Sequence, residues 1–292
     1  MDNALSQASV LDFDDHSRFV FFSDLHRGDN GPADAFRHNQ SLFVSALGHY
    51  ERQGYTYVEV GDGDELWKNG SLAKVQSAHR PVYRIMERLR SAGRLLVLVG
   101  NHQLVRHGCR LATAGPEAVE AVLLTHRDRA VRFLVTHGHQ ADGLHSRIYG
   151  LTRLVVRHLW RHLQNHGLRT ALPGPDEIQP ESGALRGAIA WSQHNQASIE
   201  QRIAAWLGRV DNLAIICGHT HRPAFAVAGG LPYYNTGSGV RPGYVTGLEI
   251  ADGAISLVSW TNRPKEGPGA QSLESTTVRR EVLEGPVRFD SF

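Results

Sequence analysis

Five apolar runs in this chain break off at residues that a strand interior rarely holds. Arg18-Phe19-Val20-Phe21-Phe22 runs into Ser23-Asp24-Leu25-His26, and Tyr55 to Val60 into Gly61-Asp62. Arg94 to Val99 ends in Gly100-Asn101-His102-Gln103, Val131 to Thr136 in His137-Gly138-His139, and Leu213 to Cys217 in Gly218-His219-Thr220-His221. Runs of this length and content read as strands covered on both faces. Helical stretches stand between the early ones, roughly Asp34 to Arg52 and Leu72 to Ser91, the second with a kink or boundary at Pro81. Alternation of this kind specifies an α/β fold, whose ligands bind just past the carboxyl ends of the strands.

The rest of the chain fits around that pattern. Ala121–Leu124 and Val131–Thr136 form a hairpin through Arg127-Asp128-Arg129, and short strands follow near Ala224–Ala228, Tyr233–Asn235, Tyr244–Ile250 and Ile255–Trp260. Residues 1–17 read as a flexible leader, and residues 263–292, rich in Pro, Gly, Ser and charge, as a flexible tail. A formal charge of only +2 selects neither nucleic acid nor an anionic membrane, so no nucleic-acid partner is expected. Two cysteines, Cys109 and Cys217, are too few for a disulfide framework, and the polar N-terminus lacks the apolar core of a signal peptide. A cytoplasmic location is the expectation.

Each strand end carries residues able to bind a cation. Side chains two apart on extended backbone point the same way, so Asp24 and His26 can reach one ion. The Asn101 amide oxygen is a neutral hard donor. One such motif alone is an ordinary turn, but five in succession argue for a shared site. Mixed oxygen and imidazole donors suit Mn, Fe, Zn, Ni or Co better than a soft thiolate site. Cys217 reads as a small buried hydrophobe, Glu65 as holding its loop and Trp67 as core filling.

The ordered set Asp-x-His, Gly-Asp, Gly-Asn-His, a lone strand-end His and Gly-His-x-His resembles the calcineurin-like metallophosphoesterase superfamily over about residues 18–262. The resemblance implies a four-layer α/β/β/α sandwich (α+β in the broad sense) with two mixed sheets, and a centre of two divalent ions, Mn²⁺ foremost. Carried over by position, one ion takes Asp24, His26, Asp62 and His221, and the other Asp62, Asn101, His137 and His219, with Asp62 bridging. His137 is preferred to His139 because it stands on the last turn of its strand. The implied reaction is hydrolysis of a small phosphomonoester or phosphodiester by a bridging hydroxide, with Asp62 and His102 catalytic and His102 as general acid. Gln103 replaces the acid usual after that histidine, so either His102 is a weaker acid or another carboxylate supports it. Glu65 sits where many members carry Asp. Arg27, Arg106 and Arg222 flank ligands and are candidate phosphate contacts.

Residues 142–210 form an insert. Ile148, Leu151, Val155 and Leu159 share a helical stripe opposite Arg153, Arg157 and Arg161, and a second helix is expected from about Gly183 to Leu207. A lid, a subunit contact and a peripheral membrane helix all fit. Gly-Asp-x-x-Glu-x-Trp and the insert lean toward bacterial UDP-2,3-diacylglucosamine pyrophosphatases, although those carry Arg at the position of His102. A binding module on the same fold, of the kind a retromer subunit represents, is the alternative from another class.

Overall fold

Alternation along the strands decides what each face packs against. In the computed structural model, Phe19 and Phe21 of β2 (Phe19–Phe22) enter one core and Val20 and Phe22 enter another. The same split recurs in β3 (Thr56–Val60), where Val58 and Val60 turn one way and Tyr57 the other. It recurs again in β9 (Ala214–Cys217), with Ala214 and Ile216 opposed to Ile215 and Cys217. The structure describes residues 1–103, 106–107, 110–111, 118–142, 196–225, 231–264 and 276–292.

Two six-stranded mixed sheets result. One has the order β1-β7-β8-β9-β11-β10, from β1 (Ser9–Phe13), β7 (Ala121–His126), β8 (Arg132–Thr136), β10 (Ala224–Phe225) and β11 (Tyr233–Asn235) with β9. The other has the order β14-β13-β12-β2-β3-β4, adding β4 (Leu95–Leu98), β12 (Tyr244–Ala251), β13 (Ala254–Pro264) and β14 (Thr276–Arg288). A small hairpin pairs β5 (Arg106–His107) with β6 (Arg110–Leu111). The sheets face each other across a core holding Phe21, Val58 and Leu248 from one and Leu124, Phe133 and Ile216 from the other. Outside the second sheet lie α2 (Gln40–Arg52) and α4 (Arg80–Ser91), burying Phe43, Leu47, Ile85 and Leu89. Outside the first lie α1 (Asp2–Ser6) and α5 (196–207), through Ala4, Ile199, Ile203 and Trp206. This is the expected four-layer α/β/β/α arrangement. Among the described residues no helix is long and apolar enough to cross a membrane.

Several boundaries differ from expectation, each for a local reason. The helix expected from Asp34 begins at Gln40, because the Asp34 carboxylate accepts the backbone N–H groups of Asn30 and Phe36 at 2.8 and 3.0 Å and holds a loop instead. The helix expected over Leu72–Ser91 is two, α3 (Leu72–Ala78) and α4, meeting at His79 with Pro81 in the first turn of α4. The insert lies outside the described residues from 143 to 195, and α5 is the final part of its second expected helix.

The two ends of the chain correct the reading of a loose leader and tail. In the leader, β1 pairs in parallel with β7, and only Phe13 of its five residues is buried, so this short strand is held mainly by its backbone. In the tail, β14 pairs antiparallel with β13 over most of its length, and Phe289 beyond it is buried in the central core against Phe13 and Phe133. The exposed charges of β14 belong to an edge strand, which keeps charge on its open side. Phe13→Ala is therefore expected to cost about 3–5 kcal/mol of unfolding free energy in urea. A segment outside the fold would cost almost nothing.

Candidate metal centre

The parallel strands β2, β3 and β4 all end on the same side, and their backbone pairing continues past the strands. The N–H groups of Asp24, His26 and Arg27 donate to the carbonyls of Gly61, Asp62 and Gly63 at 3.1, 3.0 and 2.9 Å, and the N–H of Glu65 donates back to Arg27 at 3.0 Å. The two motif loops are thus zipped together. In the facing sheet, β8 and β9 run parallel and deliver His137, then His219 and His221. Close approach is possible only because glycines precede the ligands. A Cβ on Gly100 would collide with the backbone and carboxylate of Asp62, and one on Gly61 (φ +81°) would lie 2.6 Å from the His137 ring.

Eight described non-glycine residues have positive φ, and five of them are Asp24, His26, Asp62, His219 and His221. Left-handed backbone is costly for such residues and persists only where the surroundings enforce it, most often at functional sites.

The side chains converge in two sets sharing Asp62. Asp24 Oδ1 lies 3.2 Å from His221 Nε2 and 3.8 Å from His26 Nε2, and the two imidazole nitrogens are 3.2 Å apart. Asp62 Oδ2 is 4.0 Å from His26 Nε2. On the other side, His137 Nε2 is 3.2 Å from both Asp62 Oδ2 and the Asn101 amide oxygen, with His219 completing the cluster. Each aspartate spends its other oxygen on support. Asp24 Oδ2 accepts the Ser23 hydroxyl and, at 2.8 Å, the His219 N–H, while Asp62 Oδ1 accepts the His102 N–H at 2.8 Å. His137 Nδ1 donates to the Val60 carbonyl at 2.8 Å, which turns Nε2 toward Asp62.

Burial alone would raise the carboxyls of Asp24 and Asp62, yet the adjoining imidazoles (His221 and His137 for the first, His137 and His102 for the second) hold both below the ordinary range. Burial works against charge on His137 too, but Asp62 and Asp24 raise it to about 9. Burial depresses His26 and His219. Carboxylate oxygens and imidazole lone pairs aimed at common points repel one another unless a proton or a cation lies between them. The donor set fits a divalent cation, with Asp24, His26 and His221 in one group of potential ligands and Asp62, His137 and His219 in another.

His102 stands beside this centre. Its ring stacks on Trp67 with centroids 4.1 Å apart at 15°, and the Trp67 indole N–H donates to the Asn101 carbonyl at 2.8 Å. His102 Nδ1 lies 3.0 Å from both oxygens of Glu65, whose Oε2 is also 3.3 Å from His26 Nδ1. Burial disfavours the charged ring, but Glu65 and Asp62 raise His102 above the ordinary histidine value. Glu65 is thus the carboxylate near His102 that Gln103 does not provide. It also holds its own loop, accepting the N–H groups of Trp67 and Lys68 at 3.1 and 3.3 Å. His102 can itself converge with His26 and Asp62 as a third group of potential ligands.

The arginines divide. Arg27 is not a phosphate contact. It is fully buried, with Nη1 and Nη2 on Glu59 at 2.7 and 2.9 Å, Nε on Asp64 at 2.8 Å, and its guanidinium over the Tyr83 ring. A charged residue inside the otherwise apolar run Tyr57-Val58-Glu59-Val60 was the sequence signal for this buried pair. Arg222 is exposed beside His221, 3.7 Å from Glu200. The Arg106 side chain lies outside the described residues. Cys217 is buried, and burial raises its thiol to about 12, as suits a small core residue. Sequence reasoning passed over Ser23, the stacking of Trp67 on His102, and Asp142, whose buried carboxylate lies 3.6 Å from His219 Nε2.

No family model and no curated protein matches the chain. Among solved structures, vacuolar protein sorting 29 from Cryptosporidium parvum is similar at 13% identity and a TM-score of 0.40, covering 92% of this chain and 98% of that one. Zinc-complexed Vps29 from Entamoeba histolytica is similar at 14% identity and a TM-score of 0.40, covering 91% and 99%. The phosphoesterase Yfce from E. coli is similar at 16% identity and a TM-score of 0.36, covering 82% and 91%. At these values the likeness does not bear on activity, substrate or partner.

Replacing Arg27 by Met leaves Glu59 and Asp64 as buried carboxylates without a counter-charge. The expected loss is about 3–5 kcal/mol in chemical denaturation. A substrate-binding arginine would instead raise KM with stability unchanged.

Proposed function

We propose that this chain is a metal-dependent phosphohydrolase acting on a small phosphomonoester or phosphodiester through a dinuclear centre, with Mn²⁺ the favoured ion. The observation that carries the reading is the approach of His26 Nε2 and His137 Nε2 to one oxygen, Asp62 Oδ2, between the groups Asp24–His26–His221 and Asp62–His137–His219. Two divalent ions held by these residues would supply charge for the phosphoryl oxygens and would lower the pKa of water from 15.7 toward about 7.

The protein's own residues supply the rest. Asp62 fixes the geometry, since its Oδ1 is anchored on the His102 N–H while its Oδ2 serves both ligand sets. His102 is the general acid: Glu65 on Nδ1 orients the ring and favours its charged form, so Nε2 carries the proton given to the leaving oxygen. Trp67 fixes the plane of that ring. Arg222, beside His221, is the arginine retained as a phosphate contact. His102 weighs against the UDP-diacylglucosamine pyrophosphatase reading. A panel of aryl phosphates, cyclic nucleotides, dinucleoside polyphosphates and that lipid separates the alternatives, and absence of turnover on all would favour a binding module.

Purified protein is expected to take up close to two Mn²⁺ per chain by elemental analysis. Asp62→Asn should reduce that uptake and abolish nearly all turnover. If the wild-type protein bound none and gained nothing from added Mn²⁺, the hydrolase reading would fall.

His102→Ala should keep both ions and slow substrates with poor leaving groups by roughly 10²–10⁴-fold, but a nitrophenyl ester far less. Loss of a bound ion in this variant would make His102 a ligand, and equal slowing of both substrates would remove its acid role.

A further inference from the structure

Three histidines of the centre each have a polar group of the protein beside one ring nitrogen. His137 uses Nδ1 on the Val60 carbonyl at 2.8 Å, and His26 has Nδ1 3.3 Å from the Glu65 carboxylate. His219 has Nε2 3.6 Å from Asp142 Oδ2. Asp142 belongs to neither ligand set, and its side chain is wholly shielded from solvent.

Its position is built rather than incidental. Gly138, at φ 106°, reverses the chain after His137, and the single turn His139–Ala141 brings Asp142 back, with its N–H on the His139 carbonyl at 3.0 Å. Two contacts from elsewhere pin that turn. Gln140 bridges the Gly138 N–H at 3.1 Å and the Glu120 carboxylate at 2.9 Å, and Arg202 of α5 donates to the Ala141 carbonyl at 3.2 Å. A carboxylate held this way beside an imidazole sets which nitrogen carries hydrogen and where the ring points.

We infer that Asp142 is a positioning residue for His219, fixing it with the proton on Nε2 and Nδ1 as the nitrogen that binds the ion. The inference rests on the dinuclear reading above. Its chemistry is that of a carboxylate supporting a histidine ligand: it makes the imidazole a better donor and removes the cost of ordering the ring.

The test is calorimetric titration of metal-free protein with Mn²⁺. Wild-type protein is expected to bind two ions, and Asp142→Asn to bind the first unchanged and the second about 10–100-fold more weakly, with Asp142→Glu recovering part of the loss. Two ions bound by Asp142→Asn with wild-type affinity would overturn the role of Asp142 alone. One ion or none on the wild-type protein would overturn the dinuclear reading and this inference together. Should Asp142→Asn fail to fold, long-range ¹H–¹⁵N spectra of the zinc-loaded wild-type protein decide the matter. A His219 ring protonated at Nε2 and coordinated through Nδ1 upholds the assignment, and the opposite tautomer refutes it.

Discussion

The arrangement depends on pairing that outlives the strands. β2 and β3 end at Phe22 and Val60, but their hydrogen bonds run on through Asp24, His26 and Arg27 to Gly61, Asp62 and Gly63. Backbone groups that leave a sheet ordinarily find water or a side chain. Here they find one another, and the loops that should be most free become part of the scaffold. Arg27 lies beneath, with Glu59 on one side and Asp64 on the other, joining the same two segments by charge. The candidate metal ligands therefore stand on a floor tied together by backbone and charge.

Those ties explain how the strain is borne. Five candidate ligands adopt left-handed backbone, each at a cost of order 1–3 kcal/mol. Nothing local repays this. The compensation is collective, in the apolar core between the sheets and the helices packed outside them. The aspartates add an electrostatic debt, since two buried carboxylates face one another across a cluster of imidazoles. Protonation of His137 offsets part of it, and a bound cation would offset more.

The strands of the two sheets were legible because their apolar runs are long and their endings abrupt. Phe19 to Phe22, Leu95 to Leu98 and Ala214 to Cys217 need no tertiary context to be recognised. Elements stabilised by partners distant in sequence were not. β1 is a strand because β7 is beside it, and β14 because β13 is beside it, so the shortness of the first and the charge of the second both mislead. The donor residues likewise announced themselves by type and spacing. Their supports did not, because Glu65, Trp67 and Asp142 are common residues whose roles appear only when His102 and His219 lie against them. Arg27 misled for the same reason: next to a ligand it reads as a substrate contact, and only Glu59, far back in β3, shows where its charge goes.

The face contact between Trp67 and His102 also gives the chain an internal optical reporter. An indole excited in contact with a protonated imidazole loses its emission by electron transfer to that ring. Whatever changes the charge or tilt of His102 should therefore change the brightness of this one tryptophan. The state of the ring can then be followed on a millisecond mixing instrument, with a protein in which the other four tryptophans are replaced by phenylalanine.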